Sequence, residues 1–348
     1  MNTAEATPQF EIMTSRQFQN WLYGQRASIV FTTYQIGKIF MLGTNPDGKL
    51  HVTERTFNRA MGLGYSGNTL WMSSLYQMWR FENSLPAGQQ YNGYDRVFIP
   101  QMAYTTGDLD IHDVIIQDDG TPIFCNTLFS CLATVSQTHS FKPIWKPDFI
   151  TQLAPEDRCH LNGLAGKDGK PAYVTAVSKS NVSDGWRDRR NDGGIVIDVQ
   201  TNEIVCEGLS MPHSPRWHNG KLWLLEAGTG YFGYVNLETK SFERVTFCPG
   251  FLRGMGFIGN YAVVGISSAR KNKTFSGLQL DENLQKENVD ARCGIQIINL
   301  ETGATEQWIR LKGIIDELYD VHVMPNVIRP LIIGTKKDEV RTMISIEQ

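Results

Sequence analysis

Four of the seven histidines in this chain stand at or just before a predicted β-strand entered from a polar connection: His112, His160, His213 and His322. Neutral imidazole is a ligand for Zn, Fe, Cu, Ni and Mn, and it also carries protons near neutral pH. A ring of such side chains would hold one divalent transition metal, with Fe, Zn or Mn expected. Polar neighbours stand at the same level. Asp110 and Asp113 flank His112, Asn162 follows His160, Arg216 follows His213, Arg253 holds a comparable place, and Asp320 precedes His322. An inner carboxylate such as Asp320 would orient an imidazole or act as a base. Arg216 or Arg253 would clamp a substrate carboxylate or phosphate with paired N–H groups. Asn126 and Glu226 end two apolar strands. Burial of a glutamate in LWLLEAGTG would raise its pKa toward a useful acid–base range.

The register of the histidines is uneven. Aligned on the following turn, His112 and His322 differ by a residue or more, and His160 lies earlier. Alternate strand residues face opposite sides, so some of the set would point into packing as ordinary hydrogen-bonded histidines. His51, His139 and His218 fall in later strands or turns and read as surface or packing residues.

Two long connections lie near this constellation. One, SKSNVSDGWRDRRNDGG from Ser178, carries Trp186, Arg187, Arg189 and Arg190; the other runs from Ser267 to Arg292 and includes Arg270, Lys271 and Lys273. Loops of this length are uncommon in compact domains and often serve as lids. The reading is a cationic lid over a small anionic molecule, with Trp186, Arg187, Asn126 and Asn162 among its contacts. A solvated loop or an oligomer contact is the plainer alternative.

The elements that position these residues repeat. TTYQIGKIFMLGT, GLGYSGNTLWMSS, HDVIIQDDGTPIFCNT, NGLAGKDGKPAYVTAV, SPRWHNGKLWLLEAG, GMGFIGNYAVVGISS and DVHVMPNVIRPLIIGT each read as a strand, a Gly, Asn or Asp turn, and a strongly apolar strand. GIVIDVQTNEIV, YFGYVNLETKSFERV and GIQIINLETGATEQW supply further hairpins. A period of about fifty residues with four antiparallel strands is the signature of a propeller blade. The fold expected is therefore all-β, a single β-propeller of four-stranded antiparallel blades. Seven such units favour seven blades; six result if the short first and last units share one blade and close the ring. Residues 1–26 read as an N-terminal extension with a short helix near Ser15–Tyr23, and residues 27–348 as the propeller.

Composition narrows the function classes. A formal net charge of −3 offers no bulk attraction to nucleic acid or to an anionic membrane. No apolar run reaches the roughly 20 residues of a membrane span, and the N-terminus lacks a secretory pattern. Six cysteines without a CxxC pair suit buried, reduced thiols and a cytoplasmic protein. No P-loop, dinucleotide fingerprint, GxSxG elbow or HExxH is present.

GLGYSGNTLWMSS, HSPRWHNGKLWLLEAGTG and PGFLRGMGF resemble a bacterial family of conserved hypothetical proteins, and the resemblance covers most of the chain from about Ala27 onward. In architecture the units resemble NHL-repeat, senescence-marker/gluconolactonase and strictosidine-synthase-like propellers. The gluconolactonase likeness implies a divalent ion among acidic and Asn ligands, here Asn162, Glu226 and Asp320. The abundance of histidine departs from that pattern and favours a transition metal over calcium. Four histidines on a propeller axis also resemble, in arrangement alone, the iron site of carotenoid-cleaving oxygenases. The leading expectation is a metal-dependent hydrolase, lyase or isomerase acting on a small polar, anionic substrate at the channel mouth. Glu226 or Asp320 would serve as base, and Arg216 or Arg253 would hold the substrate. A four-histidine non-haem iron oxygenase and a non-catalytic ligand- or protein-binding propeller are the alternatives.

Overall fold

Tight turns set the hairpins. Between Leu161–Lys167 and Lys170–Ala176, Asp168 and Gly169 both have positive φ, 52° and 71°. Asn219 and Gly220 do the same, at 48° and 75°, between Pro212–His218 and Lys221–Glu226. Two successive left-handed residues suit the twist of paired antiparallel strands, and Asn, Asp and Gly adopt them most readily. Lys167 therefore stands opposite Lys170, and His218 opposite Lys221.

The computed structural model describes residues 10–268 and 276–346, whose strands form six sheets set around one axis. Blade two runs Leu63–Ser66, Thr69–Ser73, Gln77–Asn83 and Arg96–Thr105 from the inside outward. Blade three runs Ile111–Ile116, Pro122–Asn126, Cys131–Thr134 and Lys142–Trp145. Blade four adds Gly194–Asp198 and Ile204–Leu209 to its first hairpin, and blade five adds Tyr231–Asn236 and Ser241–Phe247. Blade six comprises Phe251–Ile258, Tyr261–Ser267, Gly294–Asn299 and Thr305–Lys312. Blade one is composite: its inner strand, Val321–Pro325, pairs antiparallel with Ala27–Thr33, followed by Lys38–Thr44 and Leu50–Thr56.

That closure corrects the favoured blade number from seven to six. The unit at Thr32 consists of the second and third strands of a blade, and the unit at Asp320 supplies the first. The last strand, Pro330–Ile332, leaves that blade and joins the outer edge of blade two in parallel. The N-terminal segment is docked as well. Glu11–Thr14 adds an outer strand to blade six, and Phe18–Gly24 forms the short helix, burying Phe18 and Leu22.

The second strands are buried on both faces, as in Ala27–Thr33 and Pro122–Asn126, because each sheet is sandwiched between its neighbours. Leu222, Leu224 and Val235 of blade five meet Ala165 and Val196 of blade four, while Trp223, Leu225 and Phe232 meet Met255 and Val264 of blade six. Each fully buried aliphatic side chain contributes about 1.5–3 kcal/mol. All six cysteines are free thiols buried in this packing.

Hydroxyls at the ends of second strands latch successive blades. Thr32 donates to the Met61 carbonyl at 2.6 Å, Ser73 to Ile111 at 3.0 Å, Thr127 to Leu161 at 2.6 Å and Ser267 to Leu318 at 3.2 Å. Gly254, with φ of 73°, lets two inner strands approach: a Cβ there would lie 2.4 Å from the Val321 amide nitrogen. Among the described residues no helix is long and apolar enough to cross a membrane.

Candidate functional site

Inner strands all start at one face of the ring, where the connections between second and third strands also emerge. Here a cavity of about 160 Å³ is lined by Tyr34, Asp110, His112, Asp157, His160, Trp186, Arg187, Met211, Arg253 and Tyr319. These residues come from blades one, three, four, five and six or the connections entering them, so only the closed ring assembles the site. Four of them hold strained backbone: Asp110, Asp157, His160 and Met211 have φ of 52°, 43°, 50° and 48°. Non-glycine residues in the left-handed region cost on the order of 1 kcal/mol each and cluster at functional sites.

Two imidazoles meet in the wall, with ring centroids 4.9 Å apart and planes nearly perpendicular. His112 Nδ1 lies 2.8 Å from the Asp110 carbonyl and 2.9 Å from Thr127 Oγ1. Thr127 has given its own proton to Leu161, so both neighbours accept, and the His112 proton sits on Nδ1. His160 Nδ1 lies 2.9 Å from Asp157 Oδ2 and is a donor on the same argument. In the neutral rings this leaves Nε2 of each as a lone pair with no protein hydrogen bond among the described residues. Burial, offset in part by Asp110, lowers the His112 pKa to about 4, so that imidazole is neutral at pH 7.

The His160 side is braced by an aromatic plane. Trp186 stacks on His160 at 4.1 Å and donates its indole N–H to Asp157 Oδ2 at 2.8 Å, and the Arg187 guanidinium lies 4.5 Å from the Trp186 ring centroid. Burial pushes the Asp157 carboxyl up, but His160 and the indole donor outweigh it and hold the carboxyl below its usual range. On the opposite side Arg253 lies over Tyr319 at 4.7 Å, with Glu317 Oε1 3.6 Å from its Nη1. Tyr319 is buried, its hydroxyl has no hydrogen-bond partner among the described residues, and burial holds the phenol well above its usual pKa.

The four sequence-predicted metal ligands separate. His112 and His160 converge; His213 and His322 do not join them in the cavity wall. His213 donates from Nδ1 to the Met211 carbonyl at 2.9 Å, and its Nε2 faces the Asn162 amide at 3.3 Å. His322 lies further along the channel, with Nε2 3.8 Å from Asp320, and burial lowers its pKa to about 4. Among the described residues no three His, Cys, Asp or Glu side chains gather as a metal-ligand set. Two imidazoles alone make an incomplete protein ligand set for a resident transition metal.

Most predicted acid, base and clamp residues also have other partners. Arg216 makes a bidentate pair with Asp113, at 2.7 and 3.0 Å, and approaches Asp320 at 3.6 Å. Asp113 accepts the Leu164 amide of blade four and Asp320 the Leu63 amide of blade two, so both carboxylates bind neighbouring inner strands. Glu226 accepts from Thr229 at 2.6 Å, Arg244 at 3.1 Å and the Ser210 amide at 3.3 Å, away from the cavity wall. Asn162 accepts from Thr175, and Asn126 accepts the Phe129 amide. Of the predicted set, His112, His160, Arg253, Trp186 and Arg187 line one cavity. Arg270, Lys271 and Lys273 lie outside the described residues. The remainder of that connection includes the helix Gln279–Lys286, anchored by buried Leu280 and Leu284.

Tyr319 was not among the sequence-predicted site residues. Its signal is a parallel between His112–Asp113 and Tyr319–Asp320: in both pairs the Asp accepts the amide of the following residue and an amide of the next blade. The residue before that Asp faces the cavity both times.

Comparison with known proteins bears on the fold. A chain in a nidogen/laminin complex superposes with a TM-score of 0.53 at 10% identity, covering 86% of this chain and 99% of that one. A protein of unknown function from Bacteroides caccae gives 0.47 at 10% identity, covering 86% and 98%. A catalytically inactive virginiamycin B lyase from Staphylococcus aureus, crystallised with quinupristin, gives 0.43 at 12% identity, covering 87% and 99%. No curated protein matches the sequence. Over residues 16–333 the sequence matches one family model, and the chain belongs to that family, described as "Domain of unknown function (DUF4915)".

Proposed function

We propose that this propeller is an enzyme of the hydrolase, lyase or isomerase type, acting on a small polar molecule with an acidic group at the channel mouth. The observation that carries this reading is the His112–His160 pair. Each ring is fixed through Nδ1 to an acceptor, and each leaves Nε2 uncommitted beside the same cavity. Such rings are oriented for general acid–base work, and a neutral His112 is ready to accept a proton. His160, oriented through Nδ1 by Asp157, is the second ring placed for proton transfer at the same cavity. Arg253 and Arg187 supply positive charge for the acidic group, and the Tyr319 hydroxyl supplies a donor for an oxygen that gains charge during reaction.

Purified wild-type protein incubated with pooled small carboxylic acids and phosphate esters, followed by mass spectrometry, tests this directly. Turnover of at least one component is expected, with loss of about 100-fold or more in folded His112→Gln and His160→Gln proteins. Turnover that persists in both variants, or no conversion across the pools, overturns the reading. Stoichiometric tightly held metal whose removal abolishes turnover would replace this acid–base scheme with the metal-dependent one.

A further inference from the structure

The opposite face of the ring carries a larger cavity, of about 370 Å³, between blades one and two. It is lined by Tyr23, Arg26, Thr44, Asn45, Gln90 and Arg329, among others. Strand direction puts it at the far face: Arg26 precedes Ala27–Thr33, Thr44 ends Lys38–Thr44, and Arg329 follows the inner strand Val321–Pro325.

Three features mark this cavity as more than a gap between blades. Arg26 holds left-handed backbone, with φ of 49°, and its guanidinium makes no hydrogen bond or ion pair among the described residues. The backbone on either side is fixed, because the Arg26 amide donates to Tyr23 and its carbonyl accepts from Asn326 at 2.7 Å. Thr44 is 1% exposed, yet its hydroxyl has no partner among the described residues. A buried hydroxyl without a partner costs about 1–3 kcal/mol, a cost that a ligand oxygen would remove. Arg329 lies 4.7 Å from the Tyr94 ring centroid, and Gly93 gives it room: a Cβ there would stand 2.6 Å from Nη1. The Asp95 carboxylate in the same wall is already committed to the Ile328 and Arg329 amides, at 2.7 and 2.9 Å.

From this geometry we infer a second ligand site, independent of the channel mouth, for a small phosphorylated molecule with a hydroxyl-bearing body. Arg26 and Arg329 face the phosphate, as guanidinium forks do in general, and Thr44, Asn45 and Gln90 supply hydrogen bonds to the body. Both cations come from segments flanking the composite blade, so an occupant would bridge the two ends of the chain.

Calorimetric titration of the whole protein with glycerol phosphate, inorganic phosphate and glycerol tests the assignment. Saturable binding of glycerol phosphate is expected, weakened about tenfold or more in Arg26→Asn and several-fold in Thr44→Val. Asn tolerates the left-handed region, so the first variant removes charge without adding backbone strain. Lys142→Gln, on the exposed outer strand of blade three, is expected to bind the probe as wild type does. Tighter binding of glycerol phosphate than of inorganic phosphate supports an ester as the occupant, and equal binding supports the free anion at the same site. Failure of both phosphate probes to bind, or wild-type affinity in Arg26→Asn, overturns the inference. So does weakening by Arg253→Gln alone, which would place the bound phosphate at the mouth.

Discussion

Two layers of the channel, one residue step or more apart along the inner strands, both set an arginine beside buried carboxylates but serve opposite ends. In the outer layer His112, His160, Arg253 and Tyr319 surround a cavity, and the two Nε2 atoms and the phenol oxygen have no protein hydrogen bond among the described residues. In the inner layer Asp113, Arg216 and Asp320 form a closed arrangement. Arg216 spans both carboxylates, and each carboxylate accepts backbone amides from its own strand and the next blade. Residue type alone does not separate a site from a strut. What separates them is whether the polar atoms find partners inside the protein, and here one layer is satisfied while the other is not.

The inner layer should give the largest loss of stability. Arg216→Leu leaves two buried carboxylates without their cation and is expected to cost about 3–5 kcal/mol in urea unfolding. A cost below about 1 kcal/mol would mean that the layer is not structural. The second test concerns pH. The His112 pKa falls from 6.5 unfolded to about 4 folded, so the unfolded chain binds more protons between those values. Its contribution is full above pH 6.5 and is lost as pH falls toward 4. Asp320 works in the other direction: burial raises it to about 6, so its ionisation lowers stability as pH rises through that range. His112→Gln is expected to remove on the order of 2–3 kcal/mol from the difference in stability between pH 7 and pH 4, measured by denaturant titration at each pH. An unchanged acid limb would show that the ring is not buried as described.

Smaller changes sharpen the contrast. Ser73→Ala removes one latch between blades two and three and is expected to cost about 1 kcal/mol, read as a lower thermal midpoint. Tyr319→Phe deletes an unpartnered hydroxyl and is expected to change stability by less than about 0.5 kcal/mol, while lowering turnover once a substrate is in hand. A large loss of stability in that variant would move Tyr319 into the structural layer.

The propeller was legible because its hairpins recur at a regular period with turn residues suited to left-handed backbone, as at Asp168–Gly169. Blade number was less legible for a physical reason. The partner of Ala27–Thr33 is Val321–Pro325, from the other end of the sequence, so the hairpin at Thr32 looks like the start of a blade when it is the middle of one. The direction of the site was legible in the same way: His112, His160, Arg253, Trp186 and Arg187 share a cavity as strand starts and loops on one face. Which polar residue looks outward was not. Glu226 ends an apolar strand, but Thr229 and Arg244 capture it; His322 follows Asp320, yet belongs one level deeper than His112. Such pairings depend on contacts between blades, which a linear pattern does not contain.

The composite first blade also sets an order of events during synthesis. Tyr319 and Val321–Pro325 are made long after their partners in Ala27–Thr33. Five blades can acquire their own four strands as the polypeptide emerges, but the ring has no means of closing until Val321–Pro325 arrives. Contacts between such distant segments are slow to form because a long loop must be closed first. The cavity at the mouth takes Tyr34 and Tyr319 from the two sides of that seam, with their rings 5.6 Å apart. A ligand at this mouth would find its site complete only once that seam has formed and would hold the seam shut, so its affinity and the lifetime of the closed ring would be coupled quantities.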